Sequence, residues 1–99
     1  MWDQVRALHE YHGEVPLEVR VLKLTEEVGE TAEALIGMRG LNRRKGVCRT
    51  ADDLMDELAD VIIIAAVAMC AVTGGGADQA RSRLRPAGRG GARADLRQP

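Results

Sequence analysis

Two pairs of carboxylates are spaced so that helices would present them as metal ligands. Glu27 precedes Glu30 by three residues, and the same spacing separates Glu57 from Asp60. Side chains three apart lie on adjacent turns of one helix face, so two such helices packed side by side would supply four oxygen ligands. Oxygen ligands without His or Cys favour Mg²⁺ or Mn²⁺ over zinc or copper. The pairs therefore predict a Mg²⁺ site, with Mn²⁺ as the alternative ion.

The first pair lies in a segment, residues 17–38, that is predicted to be one long helix. Pro16 suits its first turn, and Gly37 and Gly40 suit its end. At about 100° per residue, one side of this helix carries Lys23, Glu26, Glu27, Glu30 and Glu33. The other side, predicted to face the core, carries Val21, Leu24, Val28, Ala32, Leu35 and Ile36. Like charges at this spacing repel, so the crowded acids favour a bound cation. Glu33 is expected to be a surface residue.

Gly29 lies inside the same helix, where Gly costs up to about 1 kcal/mol relative to Ala. Two interpretations stay open at this position. It indicates either a close approach by a ligand or another backbone, or a tolerated weak point.

The second pair lies in a helix predicted from the N-cap Thr50 to about Val72. Asp52 and Asp53 fall in its first turn, where the helix dipole favours negatively charged side chains. From Val61 onward the helix is apolar on all sides, so other helices or a second subunit must enclose it. Only its first half can border a polar site.

A short amphipathic helix is predicted over residues 1–12, ending at Gly13. Trp2 is interpreted as a core residue of this helix rather than as a platform for a nucleobase. His9 and His12 lie three apart, but no carboxylate or cysteine accompanies them in the pattern of a zinc site. We expect these histidines to be solvated or to cap the helix.

The composition fits one small all-α domain. The chain has 99 residues and no run of alternating polar and apolar residues typical of a strand. A chain this short buries a limited core, so association with a second copy is expected. The longest apolar run, residues 61–72, is shorter than the roughly 18 residues of a membrane span. Without a signal-peptide pattern or cysteines spaced for a zinc site, we expect a cytoplasmic protein.

Charge is distributed unevenly along the chain. Residues 1–78 carry 8 Lys or Arg against 14 Asp or Glu, and residues 79–99 carry 6 Arg against one Asp. We predict a domain over 1–78 and a poorly ordered Arg/Gly/Pro-rich tail over 79–99, weakly helical near residues 77–84. Without aromatic residues for stacking, this tail is not expected to bind nucleic acid.

The connection between the two acidic helices is basic. It concentrates four cations in a few positions, namely Arg43, Arg44, Lys45 and Arg49. A solvated loop or a patch for nucleic acid would have this composition. Its place between two acidic helices favours a phosphate clamp that faces a metal-bound anion.

A di-iron helical bundle is the main rival, since it also uses helix carboxylates. Such a centre needs Glu-x-x-His on two helices. Neither Glu30 nor Asp60 has a His at that spacing, so this interpretation is disfavoured.

The ordered motifs resemble a known family. Lys23-Leu24-x-Glu26-Glu27-x-x-Glu30, followed by Glu57-x-x-Asp60, resembles the E-E-x-x-E and E-x-x-D pair of the MazG-like nucleotide pyrophosphohydrolases. That family belongs to the all-α NTP pyrophosphatase superfamily. The connection Asn42-Arg43-Arg44-Lys45-Gly46 also resembles the family's Asn-x-x-Lys-Gly segment. The resemblance covers roughly residues 2–73.

The resemblance implies a reaction and a role for each motif residue. Glu27, Glu30, Glu57 and Asp60 would hold one or more Mg²⁺ ions on the triphosphate of an NTP or dNTP. Water would then release a nucleoside monophosphate and pyrophosphate, either to clean the nucleotide pool or in signalling. Glu26 and Glu27 are the candidate catalytic residues, with Glu26 as a base or a surface residue. The expected phosphate-binding residues are Lys45, Asn42, Arg43, Arg44 and Lys23.

The resemblance also implies a four-helix core completed in a homodimer or homotetramer. The sequence supplies three convincing helices, and a Gly-rich break and the basic tail stand where relatives carry a further helix. The alternative function is a helical dimerisation or nucleotide-binding module that keeps the carboxylates with little or no turnover.

Overall fold

The computed structural model describes residues 1–72 and 74–84, which form four helices and no strand. The helices are α1 (Trp2–Tyr11), α2 (Leu17–Arg39), α3 (Ala51–Val72) and α4 (Gly76–Arg83). The all-α prediction is confirmed, and the predicted bounds of the first three helices agree closely with those observed.

Capping explains why α3 begins where the sequence predicted. The Thr50 hydroxyl accepts a hydrogen bond from the Asp53 N–H at 3.1 Å, and the Thr50 N–H donates to Asp53 Oδ2 at 2.8 Å. This reciprocal pair satisfies two backbone donors at the helix start. The bond from the Thr50 N–H, followed by the contact with its side chain, lowers the pKa of Asp53. The predicted helix-end role of Asp53 is confirmed.

The hydrophobic core lies where α1, the second half of α3 and α4 meet. Its buried members are Val5, Ala66, Val67, Cys70, Ala77 and Ala80. Most of these are small, which lets the short α4 lie close against its neighbours. Trp2 packs against this cluster, so its interpretation as a core residue is confirmed.

Helices α2 and α3 form an antiparallel hairpin that extends away from this core. At one end Arg20 Nη1 donates to the Val67 carbonyl at 3.3 Å. At the other end the Gly37 carbonyl accepts a hydrogen bond from the Cys48 N–H at 2.9 Å. Within the described ranges, α2 packs on α3 and makes no direct helix packing with α1 or α4. The hairpin therefore brings the middle of α2 opposite the first half of α3.

The face of α2 that packs on α3 differs from the predicted one. Its buried or half-buried positions recur every three or four residues, at Arg20, Leu24, Glu27, Thr31 and Ala34. The apolar side chains of Val21, Val28, Leu35 and Ile36 are instead exposed in the single chain. The predicted core-facing side is wrong for these four residues, because a carboxylate, Glu27, occupies the helix seam.

The second half of α3 is only partly enclosed. Val67, Ala68 and Cys70 are buried, whereas Ile62 and Val72 are more than half exposed. Among the described residues no single helix is both long and apolar enough to cross a membrane, and the one combination with sufficient length and apolarity, α3 with α4, is bent by 115°.

Helix α4 spans the predicted end of the domain. The predicted boundary after residue 78 falls inside α4, and Ala80, beyond that boundary, is 2% exposed in the core. The predicted weak helix near residues 77–84 is thus a packed fourth helix. The remainder of the predicted tail, residues 85–99, lies outside the described residues.

Candidate metal centre

Three of the four predicted metal ligands meet across the α2–α3 hairpin. Glu27 projects from α2, and Glu57 and Asp60 project from α3. One carboxylate oxygen of each lies within 4.8 Å of the others. These three residues are called the acidic centre below. The i, i+3 spacing on α3 places both of its acids on the side that faces Glu27.

The three residues of the acidic centre differ in how deeply they are buried. The Glu27 side chain is only 10% exposed, Glu57 is half-buried, and Asp60 is exposed. No donor of the described residues reaches Glu27 Oε2 or Glu57 Oε2, and both atoms are inaccessible to solvent. A buried carboxylate oxygen without a partner is costly. The centre therefore has unpartnered oxygens that a cation would complement, and it opens to solvent at Asp60.

Glu30, the fourth predicted ligand, lies beside the acidic centre rather than within the group of three. Repulsion from Glu27, a hydrogen bond with that carboxylate and then burial raise the pKa of Glu30, with a further contribution from Glu57. The structure thus places Glu30 next to its predicted partners. Their mutual repulsion is the force that a divalent cation would relieve.

Lys23 is the cation that the acidic residues contact. Its ammonium lies 3.4 Å from Glu27 Oε1 and 3.4 Å from Glu26 Oε2. Hydrogen bonds to Glu26 and Glu27 raise the pKa of Lys23. This residue was predicted to bind substrate, and the structure places it one turn before Glu27 as an internal counter-ion.

The two predicted catalytic residues have different surroundings. Glu27 belongs to the acidic centre, whereas the Glu26 side chain is 68% exposed and pairs with Lys23. At Gly29, a Cβ added to the backbone would have no atom within 4 Å. No other part of the described chain closely approaches this glycine.

The residues present fit a hard divalent cation. The donors are carboxylate oxygens alone, and Glu27 and Glu57 each have one buried oxygen without a protein partner among the described residues. Mg²⁺ is bound in proteins by one or two carboxylates while it keeps several waters, so one or two of the three residues would suffice as direct ligands. Sulfur and imidazole, which zinc and copper prefer, do not take part in this group of three.

The basic connection forms a small cavity against the end of α2. This cavity of about 230 Å³ is lined by Glu33, Ile36, Gly37, Asn42, Lys45, Gly46, Cys48 and Arg49. Glu33 lies six residues after Glu27, which is about 9 Å along a helix axis. Two predicted phosphate-binding residues, Asn42 and Lys45, therefore line one cavity with Glu33, an exposed residue of the helix that carries Glu27.

Two further predicted phosphate-binding residues lie outside the cavity lining. Arg43 and Arg44 are exposed in the turn of the connection. Asn42 shapes this turn, because its Oδ1 accepts the Arg44 N–H at 3.0 Å and its carbonyl accepts the Gly46 N–H at 2.8 Å. Asn42 therefore has a structural role in addition to the predicted one.

Two further arginines are absent from the predicted list of phosphate-binding residues: Arg49, predicted only as one of the four cations of the basic connection, and Arg20, which had no predicted role. Arg49 lines the cavity, and its side chain lies so close to Gly37 that a Cβ added there would clash with Arg49 Cγ. Arg20 is buried between α1, α2 and α3. Arg20 precedes Glu27 by seven residues, so the heptad spacing of the seam was the signal for its inward position.

No protein-family model matches the chain, and no curated protein or solved structure matches it.

Proposed function

We propose that this protein is a Mg²⁺-dependent nucleoside triphosphate pyrophosphohydrolase that converts an NTP or dNTP to the monophosphate and pyrophosphate. The observation that carries the proposal is the acidic centre, in which Glu27, Glu57 and Asp60 bring oxygens within 4.8 Å of one another. Two buried oxygens without a donor give this cluster a need for a cation. The resemblance of the ordered motifs to MazG-like enzymes supplies the reaction.

Each group of residues has a part in the proposed reaction. Glu27, Glu57 and Asp60, with Glu30 beside them, would hold the metal. When bound, Mg²⁺ would neutralise phosphate charge and activate water for attack on phosphorus. Lys45 and Arg49 would contact the phosphates from the cavity at the end of α2. Lys23, whose ammonium is 3.4 Å from Glu27 Oε1, would donate to a phosphate oxygen beside the acidic centre.

Pyrophosphate release from a panel of NTPs and dNTPs tests the activity directly. We expect Mg²⁺-dependent release that Glu57→Gln lowers by at least about a hundredfold, because Gln keeps the side-chain volume but loses the charge that holds the metal. Glu18→Gln is the matched control, since Glu18 is an exposed acid at the start of α2. Unchanged activity in Glu57→Gln would remove this residue from the metal site.

The alternative, a dimerisation or nucleotide-binding module with little or no turnover, draws on a different observation. Large apolar side chains are exposed along both helices of the hairpin, among them Val28, Leu35, Leu58 and Ile62. Calorimetry with the same nucleotides separates the two functions. Binding without pyrophosphate release, in a chain with intact helical signal, would favour the module over the enzyme.

A further inference from the structure

A second polar group is buried in the hairpin, away from the acidic centre. Arg20 is 6% exposed, and its guanidinium contacts three groups in α1, α3 and the turn after α1. Nη1 lies 3.0 Å from His9 Nδ1 and donates to the Val67 carbonyl at 3.3 Å, while Nη2 donates to the His12 carbonyl at 2.7 Å. Arg20 thus fastens α2 to α1, which α2 does not otherwise pack against within the described residues.

The positive charge of Arg20 has no carboxylate partner within the described part of the chain. Its three contacts are an imidazole and two carbonyls, and its Nε–H is buried without any acceptor. A guanidinium has five N–H donors and keeps its charge at all ordinary pH values. Burying such a charge without an anion is unfavourable. The contacts of Arg20 with the described residues therefore leave its positive charge without a negatively charged partner.

A cavity lies beside the unpartnered guanidinium. It has a volume of about 270 Å³ and is lined by His12, Val15, Val19, Arg20, Lys23, Ile64 and Val67. Its polar contributors are the cations Arg20 and Lys23 together with His12, and no acid among residues 1–72 and 74–84 contributes to the lining. The remaining walls are branched aliphatic side chains. A negative group with an apolar body complements this combination.

Size and position separate this cavity from the acidic centre. Pockets for drug-sized ligands usually measure roughly 300–1,000 Å³, so this one suits a molecule smaller than a nucleoside triphosphate. Arg20 lies two helical turns before Glu27, about 10 Å along the axis of α2. The occupant is therefore a second, smaller ligand.

We propose that the cavity beside Arg20 binds a small organic anion, a carboxylate or a phosphate monoester, whose apolar part contacts Val15, Val19 and Ile64. The anionic group accepts the Nε–H of Arg20, on a cavity wall to which Lys23 also contributes. The site goes beyond the proposed hydrolase function: none of the three residues of the acidic centre lines the cavity, although Lys23, which contacts Glu27, adjoins both.

Nuclear magnetic resonance of the arginine Nε–H groups tests the proposal. The ¹⁵N-labelled protein is titrated with benzoate, phenyl phosphate and neutral benzamide at constant ionic strength set by chloride. We expect a saturable shift of the Arg20 Nε–H signal with benzoate or phenyl phosphate and none with benzamide. The tighter of the two anions identifies the carboxylate or the phosphate monoester as the preferred head group. Arg20→Met identifies the signal by its loss and should abolish binding.

A matched pair of variants keeps the test valid if Arg20→Met does not fold. Val19→Trp fills the cavity from its exposed rim and leaves the contacts of Arg20 in place. Val21→Trp adds the same side chain at an exposed position outside the lining. We expect Val19→Trp to weaken benzoate or phenyl phosphate at least tenfold and Val21→Trp to leave it unchanged. The proposal is overturned if neither anion shifts the signal, if benzamide binds equally well, or if Val19→Trp binds as the wild type does.

Discussion

Lys23 supplies a positive charge beside the acidic centre. Its ammonium is 3.4 Å from Glu27 Oε1, and half of its side chain is exposed. A divalent cation bound there must share or displace this contact. Replacement by Met should therefore raise the affinity for Mn²⁺, by roughly two- to fivefold for a partly exposed ion pair, and lower the thermal stability of the metal-free protein. Calorimetry with Mn²⁺ and thermal unfolding in EDTA measure the two effects.

Lys45→Met is the control for this prediction, because Lys45 lies in the basic connection and outside the contacts of Glu27. Its Mn²⁺ affinity should change less than that of Lys23→Met. A loss of Mn²⁺ affinity in Lys23→Met would show that the lysine supports the metal site rather than competing with the ion.

Glu30 gives the metal-free protein a particular pH dependence. Repulsion from Glu27 raises the pKa of Glu30 above its ordinary value of 4.5. A raised folded pKa means that the folded state binds the proton more tightly, so this contribution to stability is present below about 4.5 and is lost as the pH rises through the raised pKa. Thermal unfolding in EDTA should therefore show a smaller loss above pH 4.5 for Glu30→Gln than for the wild type.

Asp53 acts in the opposite sense, which provides an internal comparison. Its lowered pKa contributes stability above the ordinary value of 3.8, and that contribution is lost as the pH falls. Asp53→Asn should thus lose stability at neutral pH and approach the wild type in acid.

For the Glu30 prediction, profiles of melting temperature against pH that run parallel in Glu30→Gln and the wild type would contradict the assigned repulsion from Glu27.

At the residue scale, spacing predicted which carboxylates would lie together but not every inward-facing group. The i, i+3 spacing indicated that Glu57 and Asp60 share one helix face, and the structure brings both close to Glu27, because helix geometry fixes which side chains of one helix are adjacent. For Arg20, the seven-residue spacing from Glu27 could indicate the inward position but not the contacts, since its acceptors come from α1, α3 and the turn after α1. Local periodicity contains no information about those partners.

Two glycines of α2 are a matched test of how the basic connection docks. At Gly37 an added Cβ would clash with Arg49 Cγ and lie 3.0 Å from Arg49 Cβ, whereas at Gly29 it would have no atom within 4 Å. Gly37→Ala should destabilise the protein by about 1–3 kcal/mol through overpacking. Gly29→Ala should stabilise it by up to about 1 kcal/mol through helix propensity. Urea unfolding measures both, and equal effects would show that the connection does not pack on Gly37.

At the element scale, the sequence was informative about helix bounds and misleading about one helix face. Pro16, Gly40 and the Thr50 cap act through local backbone geometry, so they predicted where α2 and α3 begin or end. The orientation of α2 was mistaken because the apolar side of the helix, rather than the side that carries Glu27, was assigned to the core. Glu27 lies in the helix seam, at a position where a helix with a purely structural role would carry an apolar residue such as Leu.

Helix α4 contributes to the hydrophobic core, so the folded part of the chain extends beyond α3. Ala80 is buried against the cluster that contains Val5 and Cys70, whereas Ser82, on the same helix, is exposed. Ala80→Glu should therefore lower the melting temperature sharply, because it places a charge in the core. Ser82→Glu should change it little. Similar melting temperatures for the two variants would show that α4 does not belong to the folded core.

At the scale of the whole molecule, the α2–α3 hairpin carries acidic residues on some positions and exposed apolar residues on others. The apolar residues bear on self-association. On α2, the exposed Val21, Val28 and Leu35 recur every seven residues and so form one strip. On α3, Leu58 and Ile62 are also exposed, four residues apart on one face. The acidic residues occupy other positions on both helices. Exposed apolar strips of this kind mark interaction surfaces, and we propose a second copy of this chain as the partner, as in the predicted homodimer or homotetramer.

Sedimentation velocity tests this self-association over a range of protein concentrations. The wild type should sediment as a dimer or tetramer, and the double variant Leu35→Glu with Ile62→Glu should shift at least tenfold toward monomer, because it buries two charges in the interface. Val47→Glu is the control, since Val47 is an exposed apolar residue of the basic connection, away from both strips. A wild type that stays monomeric at high concentration would show that the apolar strips of the hairpin serve a different partner or remain solvent-exposed.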